Sequence, residues 1–267
     1  MTIETTAQDG ILLLTINRPE AHNALDPESM IELRERLTEF RDDPKLSVAV
    51  LTGAGDKAFC SGADLKNTPA SDTPFAATHL APYEYGVREG GYVRAITLSE
   101  LRIPKPLIAA INGYALAGGL EIALDCDLRI ASPSASFGLP EVRWASIPGV
   151  GGTSKLLRAL PPAVAMKLLL TGDRIDAAEA HRLGLVSDIV PAEELVATAF
   201  GIARRIIANG PLAVRAITDL AHRTFDLPLS QSITMDQLMW GVLRDTEDRA
   251  EGRRAFAERR TPDYRGR

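Results

Sequence analysis

Two glutamates and two glycine-containing turns are the residues of this chain whose types and spacing could do chemistry. Glu121 lies inside an apolar stretch, residues 120–124, and Glu141 lies between apolar neighbours directly after Pro140. A carboxylate in apolar surroundings is costly unless it is paired, hydrogen-bonded or neutralised, and burial raises its pKa towards neutral pH. The pair is therefore a candidate for acid and base catalysis. Independent structural roles, such as charge compensation at a helix N-terminus by Glu121, fit the spacing equally well.

The two turns could present free main-chain N–H groups to a ligand. The first contains Ser61, Gly62 and Ala63, which have no bulky side chains, so the main chain can approach a ligand closely. The second, residues 112–121, leaves a predicted strand and enters a helix near Gly118, and the first amides of a helix have no internal acceptor. Two such donors suit the stabilisation of a developing oxyanion.

The elements expected to position these residues form an α/β fold. Asp9-Gly10 separates two apolar runs and predicts a hairpin, and Asp26-Pro27 predicts the start of a helix. The alternation of short apolar runs with helical patterns favours a sheet with crossover helices. Strands are predicted at residues 47–52, 107–111 and 127–131, and later helices at residues 193–208, 212–225, 231–245 and 249–260.

This pattern divides the chain into two regions. Residues 1–190 are predicted to form the α/β core that carries the site, and residues 191–267 a helical region. Within the core, residues 67–91 are polar and rich in Pro, Ala and Ser, which predicts a surface loop beside something functional.

Composition excludes several classes of protein. Of the 267 residues, 45% are hydrophobic and 24% charged, as expected of a globular protein. The net charge is −5, with a local +4 in residues 249–267, which argues against a surface built for nucleic acid but allows a site for a few phosphates.

The cysteines and histidines bear on the expected cell compartment and on metal binding. The two cysteines and the lack of a signal-like N-terminus predict a cytoplasmic protein, and the scattered histidines imply no metal site. The most membrane-like stretch, residues 107–124, is interrupted by Asn112 and Glu121, so it is predicted to be core and not a membrane span.

Four motifs in register resemble the enoyl-CoA hydratase/isomerase (crotonase) family. They lie at residues 16–25, 58–65, 112–121 and 137–149, and their order and spacing agree from about residue 3 to the C-terminus. The resemblance implies a spiral of strand-strand-helix turns with a C-terminal helical region that forms a homotrimer, commonly doubled to a hexamer. It implies an enoyl-CoA hydratase that adds water reversibly across the 2,3 double bond of a 2-enoyl-CoA thioester without a metal or redox cofactor.

The resemblance also implies a role for each matching residue. Glu121 and Glu141 would be the catalytic carboxylates, and the backbone N–H groups of Ala63 and Gly118 would form the oxyanion hole. Positions that match substrate and CoA contacts are Ala21, Ser61, Gly62, Asp64, Leu65, Lys66, Gly119, Trp240 and Arg259. Lys66 would lie near the CoA phosphates, which Arg259 would reach from a neighbouring subunit, and Trp240 would flank the ligand.

Two features depart from the family pattern. Ala145 stands where glycine is usual, and Arg143-Trp144 places bulk and charge beside Glu141, where Arg143 could perturb that carboxyl or point to solvent. Three other functions remain open: an isomerase or other lyase of the family that uses one glutamate, an RNA-binding member, and an inactive acyl-CoA-binding member. The segment at residues 67–91 lies where the family varies most and where the length of the acyl chain is usually decided.

Overall fold

The computed structural model describes residues 2–67 and 73–267, and the chain begins with the predicted hairpin. Strand β1 (Ile3–Gln8) pairs antiparallel with β2 (Ile11–Ile16). Asp9 and Gly10 have φ values of 52° and 78°, as a tight hairpin turn of positive φ requires. The hairpin prediction is confirmed.

A six-stranded sheet forms the first layer of the core. It adds β3 (Val48–Gly53), β5 (Leu107–Ile111), β7 (Leu128–Ala131) and β10 (Asp188–Ile189) to the hairpin. The strand order is β1-β2-β3-β5-β7-β10, and all pairs after the hairpin are parallel. Strands β3 and β5 are buried along their whole length, as parallel strands covered on both faces should be. The three predicted strands are confirmed to within one residue at each end.

A second, four-stranded sheet collects the short strands. These are β4 (Ala58–Cys60), β6 (Tyr114–Leu116), β8 (Ser136–Gly138) and β9 (Arg174–Asp176), in the order β4-β6-β8-β9. Three times the chain places one strand in the large sheet and the next strand in the small sheet, as β3 then β4, β5 then β6, and β7 then β8. Helical segments follow each such pair, so the spiral implied by the resemblance is confirmed.

In its described residues the core has seven α-helices. They are α1 (Pro27–Asp42), α2 (Phe75–Leu80), α3 (Tyr83–Gly86), α4 (Gly118–Asp125), α5 (Gly152–Ala159), α6 (Pro162–Thr171) and α7 (Ala177–Arg182). The N-terminus of α1 is capped as predicted, because Asp26 Oδ1 accepts the N–H of Ser29 at 2.8 Å. A single-turn 3-10 helix, Pro140–Trp144, follows β8 and carries Glu141.

The segment predicted as a surface loop is largely helical in its described part, so that prediction is wrong. Residues 75–91 form α2, α3 and a π-helical turn, Val87–Gly91. Thr78 and Val87 are buried, and the Arg94 guanidinium donates to the carbonyl of Thr78 at 3.2 Å. Residues 68–72 of the same segment lie outside the described residues.

The last 70 or so residues form the four predicted helices. They are α8 (Leu195–Ile207), α9 (Pro211–Thr224), α10 (Leu229–Arg244) and α11 (Glu247–Glu258). Helix α8 packs Leu195, Ala199 and Ala203 against the six-stranded sheet, so the helices that stand off the core begin with α9. Helix α10 buries none of its residues in the single chain. Across residues 2–67 and 73–267, no helix has the length and apolar character needed to cross a membrane.

Candidate active site

The first glycine-containing turn follows β4 and is held by main-chain pairing to the segment before α1. The N–H of Leu25 donates to the Gly62 carbonyl at 2.8 Å, and the N–H of Asp64 donates to the Leu25 carbonyl at 2.9 Å. Gly62 has φ of +96°, a conformation that favours glycine. Between these two bonds, the N–H of Ala63 donates to no acceptor among the described residues. It is therefore available to a ligand.

An ion pair anchors this turn from the side. Arg18 Nη2 lies 2.9 Å from Asp64 Oδ2, and Arg18 Nη1 donates to the carbonyl of Ala24 at 2.6 Å. Burial raises the pKa of Asp64, but hydrogen bonds from Asn67 and Arg18 outweigh it and leave that pKa below its ordinary value. Sequence reasoning quoted Arg18 within a motif but missed this role. The two residues lie 46 positions apart in the sequence, so no local pattern indicated that they form an ion pair.

The second turn leads from β6 into α4. Ala117, a non-glycine residue, has φ of 49° and ψ of −129°, and its N–H donates to the Gly138 carbonyl at 3.0 Å. Gly118 is the first residue of α4, so its N–H has no acceptor within the helix. Gly119 passes so close to β4 that a Cβ there would lie 2.0 Å from the Cys60 carbonyl oxygen. Only glycine allows this approach.

The two turns lie against each other. A Cβ on Gly62 would lie 3.0 Å from the Gly118 nitrogen and 2.9 Å from the Ala117 Cβ. A Cβ on Gly118 would lie 3.8 Å from the Ala63 nitrogen. The structure thus brings together the two predicted amides, from turns that lie about 55 residues apart in the sequence. Neither amide has an acceptor in the part of the chain that is described.

Glu121 lies one turn into α4 from Gly118 and is 2% exposed. Its Oε1 accepts the N–H of Val150 at 2.8 Å and the N–H of Gly152 at 2.7 Å. Burial raises the pKa of Glu121 above its ordinary value, while the amides of Gly152 and Val150 and the Lys155 ammonium oppose that rise. The carboxylate form is therefore supported by two donors at one oxygen.

Glu141 lies close enough to Glu121 for the two charges to interact, and it has far fewer donors. Burial, together with the Glu121 charge and against the pull of its own N–H, raises the pKa of Glu141 to about 7. Its Oε2 is buried without a hydrogen-bond partner among the described residues. An unpaired buried carboxyl oxygen is costly, so this atom is a natural place for a proton, a water molecule or a substrate.

The unequal surroundings assign different chemistry to the two carboxyls. Two amide donors favour the carboxylate form of Glu121, whereas burial raises the pKa of Glu141 to about 7. Pairs of titratable groups whose environments push their pKa values apart mark acid and base roles. With two free amides on α4 and the neighbouring turn, the arrangement can bind an oxyanion and move protons beside it.

The residues that depart from the family pattern take well-defined positions. Arg143 points away from Glu141, because it forms an ion pair with Asp173 at 2.7 Å and is half exposed. Trp144 is exposed, and Ala145 adopts the left-handed conformation, with φ of 53°, that glycine usually supplies. Of the two alternatives for Arg143, the structure supports the one in which it faces solvent.

The other predicted contact residues fall into two groups. Ala21, Ser61, Leu65 and Lys66 surround the first turn: the Ser61 N–H donates to the carbonyl of His22, and the Leu65 and Lys66 side chains are exposed. Trp240 and Arg259 lie among the C-terminal helices, where Trp240 lines a cavity of about 320 Å³ with residues of α9, α11 and the tail. The single chain does not bring these two residues to the amides, so their contact with a ligand stays a prediction.

Comparison with known proteins decides the family. The family model for enoyl-CoA hydratase/isomerase matches residues 6–267. The chain belongs to the enoyl-CoA hydratase/isomerase family. The resemblance found in the four motifs is thereby confirmed.

Individual members of the family are similar along their whole length. The chain is 50% identical over 266 residues to the (E)-benzylidenesuccinyl-CoA hydratase of Thauera aromatica, with 100% of both chains covered. It is 38% identical to the crotonyl-CoA hydratase of Syntrophomonas wolfei, covering 96% of this chain and 95% of the relative. The crystal structure of an enoyl-CoA hydratase from Bacillus anthracis superposes with a TM-score of 0.89 at 39% identity and full coverage of both chains.

Proposed function

We propose that this protein is an enoyl-CoA hydratase that adds water reversibly across the 2,3 double bond of a 2-enoyl-CoA thioester. One observation carries the proposal: Glu121 and Glu141 are close enough for their charges to interact, and Glu121 lies on the helix whose first amide, that of Gly118, is free. Hydration needs all of these groups together, because water adds at C3 while a proton reaches C2 and negative charge gathers on the thioester oxygen.

The oxyanion is the first requirement of this reaction. The N–H groups of Ala63 and Gly118 would donate to the thioester oxygen as it takes on enolate character. Loss of one such donor typically costs about 3 to 4 kcal/mol of transition-state stabilisation. Both amides are fixed by main-chain bonds around them, so they need little rearrangement when charge develops.

Proton transfer is the second requirement. Glu121 would position water and remove its proton, since its two amide donors favour the carboxylate. Glu141 would deliver a proton to C2, since its pKa of about 7 leaves it largely protonated below neutral pH. The roles can be shared through one bound water molecule. No step of this scheme uses a metal or redox cofactor.

Substrate binding would use the CoA part for remote binding energy that holds the thioester in register. Lys66 is exposed beside the first turn and can reach a phosphate. Arg259 lies in the basic C-terminal tail and would reach the phosphates of a neighbouring subunit, and Trp240 would flank the ligand in that assembly.

The assembly itself is part of the proposal. We infer a homotrimer, or a dimer of trimers, built through the C-terminal helices. Isolated apolar side chains on a surface are ordinary, but large contiguous patches mark contact surfaces. The large exposed apolar residues of this region are Ile217, Phe225, Leu227, Leu229, Ile233, Leu238, Trp240, Val242 and Phe256.

A direct assay tests the activity. Crotonyl-CoA and (E)-benzylidenesuccinyl-CoA, the substrates indicated by the names of two relatives, are incubated with the protein, and loss of the conjugated-thioester absorbance is followed. Glu121→Gln and Glu141→Gln should each lose about 100- to 10,000-fold in kcat. Glu193→Gln, which neutralises an exposed glutamate of the C-terminal region, is the matched control.

The outcomes separate the possible activities. Retained turnover in both glutamine variants contradicts the two-carboxylate mechanism. Loss in Glu121→Gln with normal rates in Glu141→Gln indicates a one-base isomerase or lyase of the same family. No turnover by the wild-type protein on any 2-enoyl-CoA ester contradicts the hydratase proposal as a whole.

A further inference from the structure

A lysine outside the predicted site touches the turn that holds Glu121. Lys155 lies in α5, and its Nζ is 2.6 Å from Asp125 Oδ1 and donates to the Val150 carbonyl at 2.9 Å. Its side chain is only 21% exposed. The ammonium group is thus fixed between a carboxylate at the end of α4 and the turn before α5.

Asp125 gives this lysine a rigid anchor. Its side chain is 4% exposed, and its Oδ2 accepts the N–H of Leu98 at 3.1 Å. Burial raises the pKa of Asp125, and the Lys155 charge and hydrogen bond oppose that rise. A buried carboxylate without its cation would be strongly unfavourable, so the pair stays together in the folded state.

The turn between Val150 and Gly152 connects Lys155 to the active site. The carbonyl of Val150 accepts from Lys155, while the N–H groups of Val150 and Gly152 both donate to Glu121 Oε1. Gly151 has φ of +89°, and a Cβ there would lie 3.1 Å from Lys155 Cε, so the lysine stem packs directly on the turn. Lys155 therefore holds the Val150–Gly151 peptide unit, which lies between the two peptide units whose N–H groups donate to Glu121.

We propose that Lys155 is a positioning residue for the base Glu121: it holds the turn whose two amides bind this carboxylate and places a positive charge beside it. The inference rests on the proposed hydratase function. Lys155 itself contacts no reacting atom, because the Val150 peptide lies between it and Glu121.

The charges around Glu121 give the sign of the expected effect. Lys155 faces it from α5, Asp125 from its own helix and Glu141 from the 3-10 helix after β8. Loss of the Lys155 charge leaves Glu121 beside the Asp125 carboxylate, and Glu141 adds a second anion only above a pH of about 7. The pKa of Glu121 then rises, and the base is protonated over more of the acidic range.

The experiment compares three variants in the intact protein. Lys155→Met removes the charge and the bond to Val150, Lys155→Arg keeps a cation of similar reach, and Asp125→Asn removes the opposing anion. The acid limb of the pH profile of kcat/KM is measured together with carbon-13 NMR titration of the Glu121 carboxyl, assigned by its loss in Glu121→Gln.

Lys155→Met should move the midpoint of the acid limb and the midpoint of the Glu121 NMR titration about one pH unit higher. It should also lower kcat about tenfold with KM nearly unchanged. Lys155→Arg should restore most of kcat, and Asp125→Asn should move the midpoints to lower pH. General damage to the fold would not shift the midpoints to higher pH in Lys155→Met and to lower pH in Asp125→Asn. If Lys155→Met does not fold, the double variant Lys155→Met with Asp125→Asn replaces it, with kcat low and the midpoints near those of the wild type.

An unchanged Glu121 titration and an unchanged kcat in Lys155→Met overturn the inference. The NMR titration does not depend on turnover, so it distinguishes this failure from failure of the proposed function. A wild-type protein without hydratase activity whose Glu121 still shifts in Lys155→Met contradicts the hydratase and supports the positioning role of Lys155.

Discussion

The core and the C-terminal helices bury their residues very differently. Helix α4 buries six of its eight residues, including Glu121, against the four-stranded sheet and α5. Helix α10, twice as long, buries none of its 16 residues in the single chain and exposes Leu238, Trp240 and Val242. Helix α4 is therefore packed within the single chain, whereas helix α10 leaves large apolar side chains exposed.

This contrast separates what each region can contribute to catalysis. Hydrogen bonds within the core hold Glu121 and Lys155, and Glu141 and the two free amides belong to the core too, so one chain carries the groups that the proposed mechanism assigns to the reacting centre. Arg259 and Trp240 lie in the region that stands off the core. Substitutions in the core should therefore alter kcat, and substitutions in α10 should alter assembly.

The largest effect is expected where the two turns of the core touch. Gly62→Ala places a Cβ 2.9 Å from Ala117 Cβ and 3.0 Å from the Gly118 nitrogen, at a φ of +96° that alanine disfavours. The turns must separate, so the two amides no longer bind one oxygen. We expect kcat on a 2-enoyl-CoA ester to fall about 100- to 1,000-fold.

Gly184→Ala is the matched control for this prediction. Gly184 also has positive φ, 81°, but no atom lies within 4 Å of its added Cβ. It should lose stability of about 1 kcal/mol and keep its kcat, as measured by urea unfolding and by the same assay. A normal kcat in Gly62→Ala would show that the two turns do not act on the same oxygen.

The next largest effect tests the apolar surface of the C-terminal helices. Leu238→Glu puts a charge on a side chain that is 67% exposed in the single chain. If α10 is buried between subunits, the assembly should lose about 1.5 to 3 kcal/mol per site, and its dissociation constant should rise at least tenfold. Sedimentation velocity over a range of concentrations measures this change.

Gln8→Glu adds the same charge at an exposed position of the core hairpin and should leave the assembly unchanged. Circular dichroism checks that the Leu238 variant keeps its helices. A wild-type protein that sediments as a monomer at every concentration would contradict the proposed assembly, and the contrast between the regions would then have another cause.

The smallest effect concerns stability against pH in the core. Burial raises the pKa of Glu141 from 4.5 to about 7, so its contribution to stability is present at low pH and is lost as pH rises through about 7. After allowance for partial exposure, the wild-type protein should lose about 1 to 2 kcal/mol of unfolding free energy from this group between pH 5 and pH 8. Glu141→Gln should lack this loss.

Urea unfolding at four pH values between 5 and 8 provides the measurement. Glu193→Gln, the exposed control from the C-terminal region, should follow the wild-type pH dependence. Parallel curves for the wild type and Glu141→Gln would mean that Glu141 is not buried enough to hold its proton at neutral pH.

Much of the fold could be predicted from local patterns. The Asp9-Gly10 turn, the apolar runs of β3 and β5, and the Asp26 cap each depend on residues close together in the sequence. The helices α2 and α3 were missed because they are six and four residues long and depend on buried contacts such as those of Val87. Isolated helices of this length are unstable.

The residue types of the candidate site could be predicted from the sequence, but the hydrogen bonds between them could not. Glu121 and Glu141 stand out in the sequence because carboxyls are seldom buried in apolar runs, and the two turns stand out because their small residues leave the main chain accessible. The donors to Glu121 lie 29 and 31 residues away, in a turn whose Val150 carbonyl accepts a hydrogen bond from Lys155. Such long-range bonds leave no local sequence pattern.

The backbone of Ala117, beside the candidate site, is strained. Its φ of 49° and ψ of −129° are sparsely populated by residues with a side chain, at a cost of about 1 to 3 kcal/mol. The surrounding fold must tolerate this strain in the residue directly before the Gly118 amide. Under the proposed mechanism, stability and activity therefore oppose each other at this residue.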